Sequence, residues 1–374
     1  MRFPHEGEWI KYKLKEISKI YDGTHQTPDY KKEGIRFVSV EDIKNLYSSN
    51  KFISKENYKR DFKIVPEKGD ILMTRIGDIG TPAIVDRDEP LAYYVSLALI
   101  KPKNLLDNAF GKQLIQTPSF RHELWKKTIH VAFPKKINKD EIGECACYLP
   151  DLVNQKEIGN FLRLLDKRIE TQNKIIEKYE SLIKQLNDDI FSRGDNSKIS
   201  DFIQELSKRN KEGAVTNVLS VSNKNGFVKQ SEQFEDKELA SEDKTNYKIV
   251  QKGDFAFNPA RINVGSIALL KNQEIGIVSP MYICFKAKNI PSEILESYFS
   301  SSSFKKEMNK RLEGSVRMCL TIDGMKNIRF HNPSKKEIDI LSRLTKLKEL
   351  VVISKRILDL YNSQKSYLLS NLFI

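Results

Sequence analysis

Two long stretches without glycine-rich or proline-rich breaks constrain this chain most. Along the first, apolar residues fall at Ile158, Leu162, Leu165, Ile169, Ile176, Tyr179, Ile183, Leu186 and Ile190. The steps alternate between four and three, and Gln172 fills the one polar layer. That spacing is the a/d seam of a heptad helix, which must pair because one stripe of it cannot face water. Along the second, Ile340, Leu344, Leu347, Val351, Leu358, Tyr361, Leu368 and Leu372 keep the same rhythm, with Ser354 as the polar layer. Each lies 182 residues beyond its partner, as 340 − 158 = 182 shows. Lys365 interrupts the second seam where Ile183 would repeat. A helix from Gln155 to Ser192 would run roughly 57 Å at ~1.5 Å per residue. The two helices are expected to pair with each other, antiparallel.

The segments before the helices repeat as well. Lys68-Gly69-Asp70 leads to Arg75 and Gly80, and Lys252-Gly253-Asp254 leads to Arg261 and Gly265. Phe37–Val40 lies over Val218–Val221, Val95-Ser96 over Val278-Ser279, and Ser119-Phe120 over Ser303-Phe304. A period of about half the chain marks a tandem duplication, not a solenoid. Short β-rich runs (IRFVSV, DILMTRI, AIVD, YYVSLALI; then VTNVLSV, YKIV, SIALL, MYICFKA) alternate with turn signals, and a short helix is expected after each set, near 109–127 and 292–311. The fold class is therefore α+β: two β-rich domains, each followed by a long helix, the helices forming an antiparallel coiled coil with pseudo-two-fold symmetry. The boundaries read as 1–148 and 194–330 for the β-rich domains, and 149–193 and 331–374 for the helices.

The chain has 374 residues and a formal net charge of +13, which favours a polyanion and above all nucleic acid. Four cysteines at 145, 147, 284 and 319 have neither zinc spacing nor the density of a disulfide framework, so reduced thiols in a cytoplasm are expected. The start MRFPHEGEW is no signal peptide, and the longest apolar run, LAYYVSLALI, is too short to cross a bilayer. Catalytic patterns fail on inspection. Gly77-Asp78-Ile79-Gly80 lacks the Gly-Lys-Ser/Thr ending of a phosphate loop. Phe257-Asn258-Pro259-Ala260 lacks the second proline and aromatic of the amino-methyltransferase loop, and Pro28-Asp29 with Asp42-Ile43-Lys44 is a loose nuclease pattern that the second half does not repeat. The five histidines have no metal-ligand spacing. No enzyme and no metal site in this chain are expected.

On these residues the chain resembles the specificity subunits of type I restriction-modification systems. Trp9 with Leu14–Ile17 resembles the family's opening. Tyr21–Pro28 followed by Gly34–Val40 resembles one type of target recognition domain, and the two Lys-Gly-Asp passages resemble its core strand and turn. Gly314-Ser315-Val316-Arg317 leading to Ile328 and Pro333 resembles its exit, altered to FPKKIN at 133–138 in the first copy. The resemblance implies that each copy reads one half of a bipartite, asymmetric duplex DNA target. Two methyltransferase subunits carrying S-adenosylmethionine and two motor-nuclease subunits using ATP and Mg would be partners, with no cofactor in this chain. A type IIB-like system or a helical docking protein that binds no DNA is the alternative. Base readout needs loop residues with donors and acceptors, so the candidates are Thr24, His25, Gln26, Thr27 and Arg75 in the first copy. In the second they are Asn223, Lys224, Asn258, Arg261 and Arg317. Each could instead be a solvated loop residue or a phosphate contact, and the repetition of Arg75 at Arg261 favours phosphate or turn support.

Overall fold

The computed structural model describes residues 8–194, 197–223, 225–230, 243–314 and 318–373. The chain divides into two compact units, Met1–Asn173 with Arg356–Ile374, and Lys174–Lys355. The first is built on a four-stranded antiparallel sheet of β1 (Ser18–Asp22), β2 (Ile71–Thr74), β3 (Pro82–Ile84) and β4 (Leu97–Pro102), in the order β1-β4-β2-β3. The second repeats it with β5 (Ile203–Leu206), β6 (Asp254–Phe257), β7 (Ile267–Leu269) and β8 (Ile283–Ala287), ordered β5-β8-β6-β7.

Both faces of these sheets are covered, which explains why their strands read as unbroken apolar runs. In β2 the side chains of Ile71 and Met73 enter one core while Leu72 enters another. In β6, Phe255 and Phe257 enter one core and Ala256 the other. A smaller sheet covers the second face in the first unit, with Ile35–Val38 between Phe52–Ile53 and Leu91–Tyr93.

Each expected short helix is two helices. Asn108–Gln116 is followed by Pro118–Lys127, and Ser292–Phe299 by Ser302–Asn309. The break falls on Thr117 and Ser301, whose hydroxyls accept from the N–H of Phe120 (3.2 Å) and Phe304 (3.1 Å) and donate back to the preceding turn. A side chain that caps the next helix while bonding the last one makes a corner.

The long helices are α1 (Leu152–Phe191) and α2 (Lys335–Asn371). In the first unit Ile158 and Leu162 share a core with Leu369, Leu372 and Phe373, and farther along α1 Asp166 meets Lys365 at 2.6 Å, so the segments run antiparallel. In the second unit Glu180 meets Lys355 at 2.7 Å and Arg193 meets Glu337 at 3.0 Å, again antiparallel. Along α1 the expected seam is the covered face: Ile158, Leu162, Leu165, Ile176 and Ile190 are buried, and Ile169, Tyr179, Ile183 and Leu186 are half-buried. On α2, Leu344 and Val351 are buried and Leu347, Leu358, Tyr361 and Leu368 half-buried, but Ile340 is 40% exposed and Leu341 takes its place. Near its start α2 packs on a globular core through Leu341 and Leu344, where the 3.6-residue stripe replaces the 3.5-residue seam.

Lys365, which broke the apolar pattern, belongs to a charged layer. Asp166 accepts from Lys112 (2.7 Å), Lys365 (2.6 Å) and Gln113 (2.9 Å). Burial alone would raise the Asp166 carboxyl, but the two ammoniums outweigh it and hold its pKa below the ordinary value.

Two positions test this packing. A Cβ on Gly159 of α1 would lie 2.6 Å from the backbone nitrogen of Phe110, so Gly159→Ala has to force the two helices apart. It is expected to destabilise the first unit by about 1–3 kcal/mol in denaturant titration, while Ala at exposed Asn160 stays within about 0.5 kcal/mol. At the start of α2, Ser334 and Glu337 form a capping box: the Ser334 N–H donates to Glu337 Oε2 at 2.8 Å and the Glu337 N–H to Ser334 Oγ at 3.4 Å. The Ser334 N–H, its hydroxyl and His331 draw the Glu337 pKa down to about 2 against the effect of burial. A depressed carboxylate contributes stability that is complete above its ordinary pKa of about 4.3 and is lost as pH falls through the folded value. Glu337→Gln should lower stability by about 1 kcal/mol at neutral pH and flatten the acid limb of the stability curve below about pH 4.

Candidate nucleic-acid interface

The duplicated Lys-Gly-Asp passage is a turn that opens the central strand of each sheet. Gly69 and Gly253 have φ of +97° and +93°, a left-handed conformation that favours glycine. The Asp70 carboxylate accepts the Glu67 N–H at 2.7 Å, and Asp254 accepts the Gln251 N–H at the same distance. Lys101 adds a bond to Asp70 at 2.6 Å. Around each turn the same backbone pair forms: Gly69 to Val85 and Val85 to Asp70, Gly253 to Leu270 and Leu270 to Asp254. The passage is a fold element, and the candidate loops leave the other end of the strand it starts.

At that other end, in the first unit, stands Arg75. It was a DNA-facing candidate, yet it is only 5% exposed. Its guanidinium donates to the carboxylate of Asp22 and, through Nε, to the carbonyl of Ile137 at 3.0 Å. Its carbonyl accepts the Ile137 N–H at 3.0 Å. Buried, with Nε and Nη1 bonded inside the protein, Arg75 is a strut that roots two loops. One is the 23–28 loop just after Asp22, where Thr24 is half-buried and its backbone bonds Tyr93 and Val95, while His25, Gln26 and Thr27 are exposed. The other is the 129–136 excursion, closed by the Ile129–Lys136 bridge and tied by Gly77 N–H to the Lys135 carbonyl at 2.8 Å.

The second unit keeps the plan without the strut. The backbone counterpart of Arg75 is Pro259, whose carbonyl accepts the Leu320 N–H at 3.1 Å. Arg261, aligned with Arg75 by sequence, instead lies exposed in the turn that Gly265 closes with φ +95°. Asn223 is exposed at the hairpin of Leu219–Ser222 and Gly226–Lys229, and its Cβ lies 3.7 Å from where a Cβ on Gly265 would stand. The hairpin tip and the Arg261 turn are thus brought together. Asn258 is turned inward: it is 8% exposed, its Oδ1 accepts the Ala260 N–H at 3.1 Å, and its Nδ2 lies 3.7 Å from the Met281 sulfur. Lys224 and Arg317 lie outside the described residues.

Beside the hairpin is a cleft of about 700 Å³ whose rim carries Asn225, Lys229, Lys271, Asn272, Gln273 and Lys305. Sequence reasoning passed over these. The Lys-Asn-Gln run at 271–273 after an apolar strand was the available signal.

Burial pushes the thiols of Cys145, Cys147 and Cys284 up to about 12, which leaves them protonated and poorly nucleophilic at neutral pH. Among the described residues there is no group of three or more His, Cys, Asp or Glu that could hold a metal ion, and no helix long and apolar enough to cross a membrane.

Residues 6–181 match the family described as the type I restriction modification DNA specificity domain. The chain is 24% identical over 189 residues to the Type I restriction enzyme MjaVIII specificity subunit of Methanocaldococcus jannaschii, an alignment spanning 48% of this chain and 44% of that relative. The chain thus spans about half the length of the curated relative it matches. The fold is similar to that of the type I restriction-modification S subunit from M. genitalium, at TM-score 0.65 and 14% identity, covering 100% of this chain and 98% of that one. A chain from a structure concerned with assembly and conformational transition of the type I R-M system aligns at TM-score 0.52 and 11% identity, covering 99% and 98%. Residues 6–181 thus match the type I restriction modification DNA specificity domain, and the chain as a whole has a fold similar to that of type I restriction-modification S subunits.

Proposed function

We propose that this chain is the non-catalytic DNA-reading subunit of a type I restriction-modification complex, and that each unit reads one half of a bipartite, asymmetric duplex target. The observation that carries this is a single scaffold built twice, with the same turn opening the central strand and different exposed side chains at its far end. Equal scaffolds hold loops in equivalent places, and unequal loop residues give unequal half-sites. The basic balance of the chain suits the phosphate backbone. In the first unit the reading residues are His25, Gln26 and Thr27, with Thr24 anchoring the loop. In the second they are Asn223 and Arg261, joined by Lys224 and Arg317. Two methyltransferase subunits holding S-adenosylmethionine, and two motor-nuclease subunits using ATP and Mg²⁺, supply the chemistry.

Two measurements test this reading. The pure chain incubated with S-adenosylmethionine, ATP, Mg²⁺ and plasmid DNA is expected to give neither methyl transfer nor cleavage; either activity from the lone chain would overturn the assignment. Selection of bound duplexes from a random library, with the methyltransferase partner present, separates readers from struts. A His25→Ala, Gln26→Ala double variant should change preferences in one half-site only, and Arg261→Ala in the other, each by about 1–3 kcal/mol of discrimination. Arg75→Ala should instead lower the stability of the first unit by about 3 kcal/mol through its stranded Asp22 carboxylate, with no altered base preference in the fraction that remains folded.

A further inference from the structure

Resting on the reading of the first unit as a DNA-binding domain, we propose that the 129–136 excursion is an apolar wedge that enters duplex DNA between base pairs, with Phe133 and Val131 as the inserting side chains. Val131 is 97% exposed and Phe133 wholly so, at the tip of a loop whose base is fixed on both sides. The Ile129–Lys136 bridge closes the loop, and Lys135 and Ile137 bond the turn that carries Arg75 and Gly77. A fixed base and a bare apolar tip is a costly arrangement in water unless something covers the tip.

Charge identifies the cover as a polyanion. Lys135 and Lys136 follow the tip directly, both are exposed, and neither makes an ion pair among the described residues. Trp125, 60% exposed, stacks on His122 with ring centroids 5.9 Å apart and an angle of 7°, and the His130 ring lies 5.0 Å away. An apolar tip followed by two free ammoniums and flanked by flat rings matches an unstacked base step with phosphates on either side. A protein partner of mainly apolar surface would leave those ammoniums uncompensated. Rooting on Arg75 also places the wedge on the same support as the 23–28 loop, so a bend or unstacking made by one would act beside the bases read by the other.

The test uses the full chain with its methyltransferase partner and a duplex recovered by selection, labelled at both ends so that energy transfer reports bending. Both tip residues are solvent-exposed, so a Val131→Ser, Phe133→Ser variant should melt as the parent does. It is expected to bind roughly tenfold to a hundredfold more weakly, with an unchanged salt slope and a straighter duplex. Lys135→Ala, Lys136→Ala should weaken binding while lowering the salt slope by about two. If the tip variant binds and bends the duplex as the parent does, the wedge is wrong and the DNA-reading assignment stands. If the parent itself fails to bind any duplex, both fall. If the tip variant loses the methyltransferase partner but keeps its DNA affinity, the tip is a protein-docking surface and the wedge is overturned.

Discussion

A sheet whose two faces are both apolar cannot stand in water until both are covered, and each unit of this chain is organised around that requirement. In β2 and β6 successive side chains enter different cores, so loss of either cover would expose one side of the central strand. Each fully buried aliphatic or aromatic side chain represents about 1.5–3 kcal/mol of transfer free energy. The small strands cover one face. The other is covered by the paired short helices and the ends of the long ones. The exposed side chains of the loops are free to vary because this burial rests on other residues, among them Ile137 and Ile262 at the roots of the loops.

The covering helices show where pattern was legible and where it was not. The heptad rhythm found α1 and most of α2 because a seam between two helices depends only on spacing along the chain. It misplaced the start of α2, where Leu341 and not Ile340 is buried, because there the neighbour is a globular core that takes a wider stripe. It read Lys365 as a flaw. The residue that makes it acceptable, Asp166, lies on the other helix, and Lys112 and Gln113 come from a third. Periodicity sees one helix at a time and does not report a charge satisfied from outside it.

The candidate site followed the same division. Exposure of His25, Gln26, Thr27, Asn223 and Arg261 could be anticipated, since polar residues near glycines and between strands make surface turns. The burial of Arg75 could not, because its partners Asp22 and Ile137 are 53 and 62 residues away. Matching Arg75 to Arg261 by sequence also paired a buried residue with an exposed one: backbone bonding makes Pro259 the counterpart. Asn258 resembled a reading residue by type, but its amide is occupied by Ala260 and Met281. Residue type and loop position suggest what a side chain could do. Only its neighbours decide whether it is free to do it.

The division of the chain has a consequence for how it is made. The second unit is one continuous stretch, Lys174–Lys355, while the first is assembled from Met1–Asn173 and Arg356–Ile374 on either side of it. The first core contains Leu369, Leu372 and Phe373, and the Phe373 ring lies 5.1 Å from Phe110 and 6.2 Å from Trp9. A ribosome delivers these residues long after Trp9. The unit that starts first on the messenger is therefore finished last: its apolar face waits, partly open, while the whole of the other unit is synthesised and can fold. Translation speed and chaperone access across the codons for 174–355 would then govern the yield of the unit that precedes them.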